Sequence, residues 1–285
     1  MATPRGRASF TEQEAGPLLD QAAARLGARV RPGVHPIIGV GGRTLATPVT
    51  HGPGEDQAWL RLLASTEPDG KLWNGLADAE HLPDLVFRPR LLASTILEEG
   101  ADRAVRADLL TYITAPALSS TPDLPTSRAL PLGTGWWDDL RCALGALSKA
   151  APVNGREPVI SATYIRRTVP AFVGVDVDPM AGAWEMAHGD LHWANLTGAP
   201  LSILDWEGHG LAPAGFDAAY LLAHSLPVPD IAQQVRSCLA DALSGQAGRL
   251  ARLTVAAIIL QAAERTDIHA RLAPLVRADV ADLLT

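Results

Sequence analysis

An aspartate, an asparagine and a second aspartate stand at short intervals in the second half of this chain. They lie in His188-Gly-Asp-Leu-His-Trp-Ala-Asn195 and, close behind, in Ile203-Leu-Asp205-Trp-Glu207. Counted from Asp190, Asn195 is at +5 (195−190) and Asp205 at +15 (205−190). This set suits an enzyme that moves a phosphoryl group from a nucleotide. One carboxylate orients an attacking hydroxyl and accepts its proton, while the amide oxygen and the second carboxylate hold the magnesium that neutralises the phosphates. A competing reading makes His188, Asp190 and His192 an HxDxH metal site, because alternate residues of a strand share one face. It leaves Asn195, Asp205 and Glu207 without a task.

The bulk composition frames that chemistry. A chain of 285 residues has room for two modest domains or one large one, and for a sizeable core. With 47% hydrophobic and 19% charged residues it has an ordinary globular composition. A net charge of −7 and the lack of any basic block argue against nucleic acid as a partner. Cys142 and Cys238 are far apart without a CxxC spacing, which argues against a disulfide scaffold and a thiolate zinc site. The start, Met1 to Arg7, lacks the apolar core of a signal peptide, and the apolar run Val255 to Leu260 is too short to span a bilayer. The cytoplasm is the expected location, with no membrane partner.

The elements that must position the motif follow from periodicity. Thr11 to Leu26 reads as a helix, with Leu18, Leu19, Ala22, Ala23 and Leu26 on one face and a Thr11/Glu14 capping box. Val34 to Ile38, Arg43 to Val49 and Gln57 to Leu63 read as strands of a small antiparallel sheet. A helix is expected from Lys71 to Leu82, ended by Pro83, then strands at Arg90–Ala93 and Arg106–Ile113. A Pro/Ser/Thr-rich stretch from Ser119 to Ser127 marks a domain boundary. Beyond it helices are expected over Trp136–Lys149, Val159–Val169, Ala214–Ser225, Ile231–Ser244 and Leu250–Arg265.

On the catalytic and metal motifs, the chain resembles the aminoglycoside phosphotransferase and choline-kinase-like family, whose fold is that of protein kinases. The close match covers about residues 184 to 225, and the order of flanking elements extends it loosely over most of the chain. The resemblance implies a two-lobed α+β fold, with a small antiparallel-sheet lobe over 1–113 that binds nucleotide and a mainly helical lobe over 114–285. It makes Asp190 the catalytic, hydroxyl-orienting base and Asn195 and Asp205 the magnesium ligands. His188 braces the loop, and Asp217 of Pro213-Ala-Gly-Phe-Asp217 supports it from behind. The implied reaction moves the γ-phosphoryl of ATP (or GTP) to a hydroxyl of a small molecule. Aminoglycosides, choline-like amines, sugars and amino acids all fit as acceptors. The runner-up is a catalytically silent kinase-like nucleotide-binding protein.

The first lobe departs from the kinase pattern. Gly39-Val-Gly41-Gly42 is a shortened glycine turn; either its backbone, at Gly41, approaches phosphates or it is only a tight turn. Ala58-Trp-Leu-Arg61 puts an arginine where the strand lysine is expected, and a guanidinium still forks onto phosphate oxygens. Lys71, its rival, reads as a solvated residue at a helix start. Glu80 is either the helix carboxylate that orients Arg61 or a plain surface glutamate. Tyr112 and Ile113 mark the hinge whose backbone, by the resemblance, meets the nucleotide base. Trp136 and Trp137 read as core packing, with ring stacking on a sugar as the alternative. Glu207 reads equally as a contact for a substrate ammonium or as support for the loop. Asp176, Asp178 and Glu185 join it as candidates for an acidic acceptor pocket, and His209, His224 and His269 carry no pattern.

Overall fold

Thr11 starts the first helix as expected: its hydroxyl accepts the Glu14 amide (3.4 Å), and α1 runs Glu12–Arg25 with Leu18, Leu19, Ala22 and Ala23 buried. The computed structural model describes residues 9–39, 41–66, 68, 70–99, 103–124 and 130–284. The chain divides into two compact units, Met1–Glu80 with Pro89–Thr114, and His81–Arg88 with Ala115–Thr285.

In the first unit, α1 lies on a fully antiparallel sheet. Its strands are β1 (Ala28–Val30), β2 (Ile37–Ile38), β3 (Thr44–His51), β4 (Asp56–Ser65), β5 (Leu91–Glu99) and β6 (Ala104–Thr111). The order is β1-β3-β4-β6-β5, with β2 on the end of β3. Central β4 is buried from Leu60 to Ala64 because both its faces are covered. Ala58, Leu60, Leu62 and Ala64 join the core under α1. On the opposite face, Trp59, Arg61 and Leu63 stand beside Leu110, Asp108 and Arg106 of β6. The helix α2 (Lys71–Ala79) covers part of that face through Trp73, which packs on Leu63 and Ala104. Two expectations are corrected here. The 34–38 strand shrinks to Ile37–Ile38, since only those two residues find a partner on β3, and β6 ends at Thr111, so Tyr112 and Ile113 follow the strand.

The second unit is mainly helical, with α3 (Thr134–Leu147), α4 (Ala162–Val173), α5 (Phe216–Ser225), α6 (Pro229–Cys238), α7 (Ala240–Leu243), α8 (Gly245–Ala262) and α9 (Asp267–Val280). A two-stranded ribbon, β7 (Trp184–Ala187) with β8 (Gly210–Pro213), carries the two motif loops between its strands. All of α5 is buried, and with Ile165, Val169, Leu253 and Leu272 it builds the core of the unit. The single helix expected over Ile231–Ser244 is two, parted at Leu239, whose side chain turns inward. The Ser119–Ser127 stretch lies partly outside the described residues. His81–Arg88 packs in this unit, where the Ile203 amide donates to the Phe87 carbonyl (2.8 Å) and Arg88 gathers the carbonyls of Leu82, Pro83 and Val86. No described helix is long and apolar enough to cross a membrane.

One buried ion pair sits within the sheet unit. Arg106 Nε meets Asp108 Oδ1 at 2.8 Å, Ser94 donates to the same oxygen, and Arg106 Nη1 reaches the Trp73 carbonyl at 2.9 Å. Removing one partner strands a buried charge, so Arg106→Leu should cost about 3–5 kcal/mol in urea unfolding. The double change with Asp108→Leu should cost less than the single one; an equal or larger cost would show that the pair itself, not the stranded charge, holds the sheet.

Candidate active site

The motif loop begins where β7 ends. His188 and Gly189 donate their amides to the two oxygens of Asp217, at 2.6 and 2.9 Å, and Asp217 lies in the first turn of α5. Gly189 has φ +88°, and a Cβ there would meet Val159 at 2.7 Å, so both conformation and space call for glycine. The fully buried His188 uses both ring nitrogens on backbone. Nε2 lies 2.8 Å from the Leu204 carbonyl and Nδ1 accepts the Asp190 amide at 3.3 Å, an assignment that puts the ring proton on Nε2. Burial lowers the pKa of its imidazole, so it serves as a neutral strut. An HxDxH metal site is thereby ruled out: His188 has no nitrogen left to ligate.

Asn195 ends a short 3-10 turn, Trp193–Asn195. Its amide Nδ2 donates to the Asp190 carbonyl (2.9 Å), which leaves Oδ1 as the acceptor end. Its backbone carbonyl receives the Leu204 amide at 2.8 Å. Leu204 is therefore held from both sides, by Asn195 and by His188, and this ties the Asp190 loop to Asp205. Asp205 adopts the left-handed conformation (φ 61°, ψ 63°), and Glu55 is the other described non-glycine residue with positive φ. Such a conformation disfavours side chains with a Cβ, aspartate and asparagine least. Behind it, Arg156 donates to the carbonyls of Glu207 (2.8 Å) and His209 (2.7 Å). Glu207 itself is buried in the turn Trp206–Gly208.

Asp190 keeps about half of its side chain exposed (49%), with His192 Nε2 3.5 Å from its Oδ2. Loss of water pushes its carboxyl upward, but His192, with His188 and His224 behind it, outweighs this and holds it at about 2. Burial, and then the charge of the same carboxylate, raise the Tyr220 phenol well above its ordinary range. Three imidazoles lead away from Asp190: the rings of His192 and His224 are 5.7 Å apart, and those of His224 and His269 6.1 Å. His224 Nδ1 bonds the Tyr220 carbonyl at 2.9 Å. Sequence reasoning found neither this row nor Arg156, whose members are scattered along the chain. The one available signal was a histidine and a serine closing the largely apolar α5.

The other candidates are placed as follows. Trp136 is buried, stacks on Trp193 (6.3 Å) and donates to the Thr197 carbonyl, which is the packing alternative. Glu185 accepts the Gly215 amide (2.8 Å), and Asp178 caps its own turn at Met180. In the first unit, Gly41 and Gly42 have φ of +79° and +74° in the turn between β2 and β3. A Cβ on Gly41 would meet nothing within 4 Å, so that backbone is open on one side. Arg61 is buried on the sheet face away from α1. Tyr112 packs its ring 6.3 Å from that of Trp59, with Ile113 next in the chain. Glu80 is a correction: α2 stops at Ala79, and the Glu80 carboxylate turns to Arg90 Nε (2.8 Å) and the Leu91 amide (3.0 Å) instead of orienting Arg61.

An antiparallel-sheet unit followed by a helical unit carrying these loops defines a two-lobed, protein-kinase-like α+β fold. The chain is similar in structure to aminoglycoside phosphotransferase APH(4)-Ia, with 13% identity, 95% of this chain and 99% of that one covered, and a TM-score of 0.62. A thermostable mutant of that enzyme in a ternary complex with ADP and hygromycin B gives 13% identity, 88% and 94% coverage and a TM-score of 0.60. Spectinomycin phosphotransferase APH(9)-Ia, in complex with ADP and spectinomycin, gives 13% identity, 88% and 87% coverage and a TM-score of 0.50. No family model and no curated protein sequence matches the chain. The likeness confirms the fold read from the sequence.

Two predictions follow the loop geometry. Asp205→Asn should fold with nearly parental stability, whereas Asp205→Val should be less stable than Asp205→Asn by roughly 1–2 kcal/mol, because a β-branched side chain is strained at positive φ. Equal urea midpoints for the two variants would contradict the strain. The second concerns pH. Burial lowers the His224 imidazole from 6.5 to about 4, so between those values the folded chain binds fewer protons than the unfolded one. Stability should be complete above about pH 6.5 and fall as the pH drops towards 4, by at most roughly 3 kcal/mol from this residue. Calorimetry of His224→Gln should show a shallower loss over that window; an unchanged slope would refute the assignment.

Proposed function

We propose that this chain is a phosphotransferase that moves the γ-phosphoryl group of ATP or GTP to a hydroxyl of a small molecule. The observation that carries the reading is the knot at Leu204. Through Asn195 and His188 it holds an exposed carboxylate, Asp190, in one framework with an amide oxygen and a second carboxylate, Asp205. The solved structures of similar fold add support, since those proteins were crystallised with ADP and with hygromycin B or spectinomycin.

In this reading Asp190 receives the hydrogen bond of the acceptor hydroxyl. A carboxyl held near 2 is a weak base at neutral pH, so it aligns the hydroxyl first and takes its proton late. The acceptor O–P bond forms as the bond from the γ-phosphorus to the β,γ-bridging oxygen breaks, and that proton ends on Asp190. Asn195 Oδ1 and the Asp205 carboxylate are hard oxygen donors of the kind magnesium takes, and they are the residues that would hold it. When bound, the ion supplies positive charge to the phosphate oxygens. Arg61 would serve the nucleotide phosphates, Gly41 their approach to backbone, and Tyr112 and Ile113 the base. The buried Glu207 and the committed Glu185 and Asp178 give no reason to prefer a polycationic acceptor over a sugar-like or amino-acid-like one.

The test is ADP release with Mg-ATP across a panel of aminoglycosides, choline-like amines, sugars and hydroxy amino acids. Asp190→Ala should lower turnover of any accepted compound by about 10²–10⁴-fold. Its magnesium-nucleotide thermal shift should be kept, while Asp205→Ala should lose that shift as well. Full turnover by Asp190→Ala would exclude the assignment.

A further inference from the structure

Asp205 holds a left-handed backbone conformation that a side chain with a Cβ disfavours (φ 61°, ψ 63°), so its surroundings must fix it from both sides. Before it, Leu204 is held by Asn195 and His188. After it comes the turn Trp206–Gly208, and a residue from outside the motif takes hold of that turn. Arg156, in the connection between α3 and α4, donates Nη2 to the Glu207 carbonyl (2.8 Å) and Nε to the His209 carbonyl (2.7 Å). The fully buried His209 places its Nδ1 2.7 Å from the Trp206 carbonyl. Three of the four carbonyls that follow Asp205 are thereby occupied. We infer that Arg156 is a positioning residue for the metal site: by clamping this turn it sets the direction of the Asp205 carboxylate.

The clamp has a fixed base. The Val159 amide donates to the Leu211 carbonyl of β8 at 2.8 Å. A Cβ on Gly210 would meet the Glu157 carbonyl oxygen at 2.8 Å, and one on Gly189 would meet Val159 at 2.7 Å. The residues from Arg156 to Val159 therefore lie against β8 and against the loop of Asp190 together. From that base a guanidinium is the suitable group. Its Nε–H and Nη2–H lie on one edge of a planar fork and reach two carbonyls at once, which the single ammonium of lysine does less well.

Without the clamp, the backbone after Asp205 is free to leave the left-handed region, and the carboxylate turns with it. Partners that orient a metal ligand from behind are worth about 10–100-fold in metal affinity. The clamp stands on the loop geometry, whereas the use made of the metal rests on the phosphotransferase reading.

The probe is Mn2+, which takes the oxygen ligands that magnesium takes and is followed by the spin resonance of its free ion. Titrated into the full chain at saturating ADP, Arg156→Gln should bind Mn2+ about 10–100-fold more weakly than the parent. Its affinity for ADP without metal should be unchanged. Arg156→Lys should fall between the two, and it carries the test if Arg156→Gln does not fold. In an Asp205→Asn background, Arg156→Gln should weaken Mn2+ binding far less than it does in the parent, because the group that it aims has been altered. With an accepted substrate, the loss should appear as a raised KM for the magnesium nucleotide, with kcat recovering at high magnesium. Parental Mn2+ binding in the Arg156 variants, equal weakening of metal-free ADP, or an undiminished effect in the Asp205→Asn background overturns the inference. Any of these beside phosphoryl transfer by the parent leaves the phosphotransferase reading intact. Arg156-dependent Mn2+ binding with no transfer to any acceptor refutes that reading alone, and a parent that binds no Mn2+ with ADP overturns both.

Discussion

Two backbone amides at the end of β7, those of His188 and Gly189, are satisfied by one buried carboxylate, Asp217. Without it both donors would be stranded at a place where water cannot replace it, and the loop that aims Asp190 would lose its origin. Burying a carboxylate is costly, and the surroundings offset that cost. Asp217 sits in the first turn of α5, where the helix end favours negative charge, and accepts two amides at short range. The position of α5 is in turn enforced from behind. Gly215, its N-cap, has φ +85°, and a Cβ there would come within 2.1 Å of the Ala242 carbonyl. The motif loop is thus referenced to the most buried helix of its unit.

From that anchor, order passes along the chain by neutral imidazole and backbone. His188 reaches Leu204, Asn195 reaches Leu204 from the other side, and Arg156 closes the far end through the carbonyls of Glu207 and His209. Neutral struts matter beside an anionic site. A charged His188 would draw on the Asp190 carboxylate, whereas burial keeps it a neutral donor to a carbonyl.

The parts legible in the sequence were those with short-range causes. Thr11 with Glu14, the apolar face of α1 and the strand β4 that follows a turn all come from spacing within a dozen residues, and they were read within a residue or two. The Asp190, Asn195 and Asp205 set was legible because one loop and its neighbour hold it. What stayed hidden was decided elsewhere. Leu239 breaks a helix because its side chain is wanted in the core, and α9 carries Pro274 inside it, which conceals it from a reading that treats proline as a stop. Glu80 met Arg90 and the Leu91 amide at the start of β5 instead of Arg61, a choice made by a strand that comes later in the chain. Arg156, His224 and His269 are joined to the motif only by tertiary packing, and no spacing rule reaches that far.

The excursion of His81–Arg88 has a consequence for how the chain is made. The first unit has all its strands once residue 114 has been synthesised, yet this internal segment belongs with residues that come much later. Its Phe87 carbonyl must wait for the Ile203 amide, two positions before Asp205. During synthesis the sheet unit can therefore settle early while a loop within it stays open. The segment beside Asp205 closes only after 116 further residues have emerged (203−87). The order of emergence from the ribosome thus places His81–Arg88 after the strands that flank it in sequence.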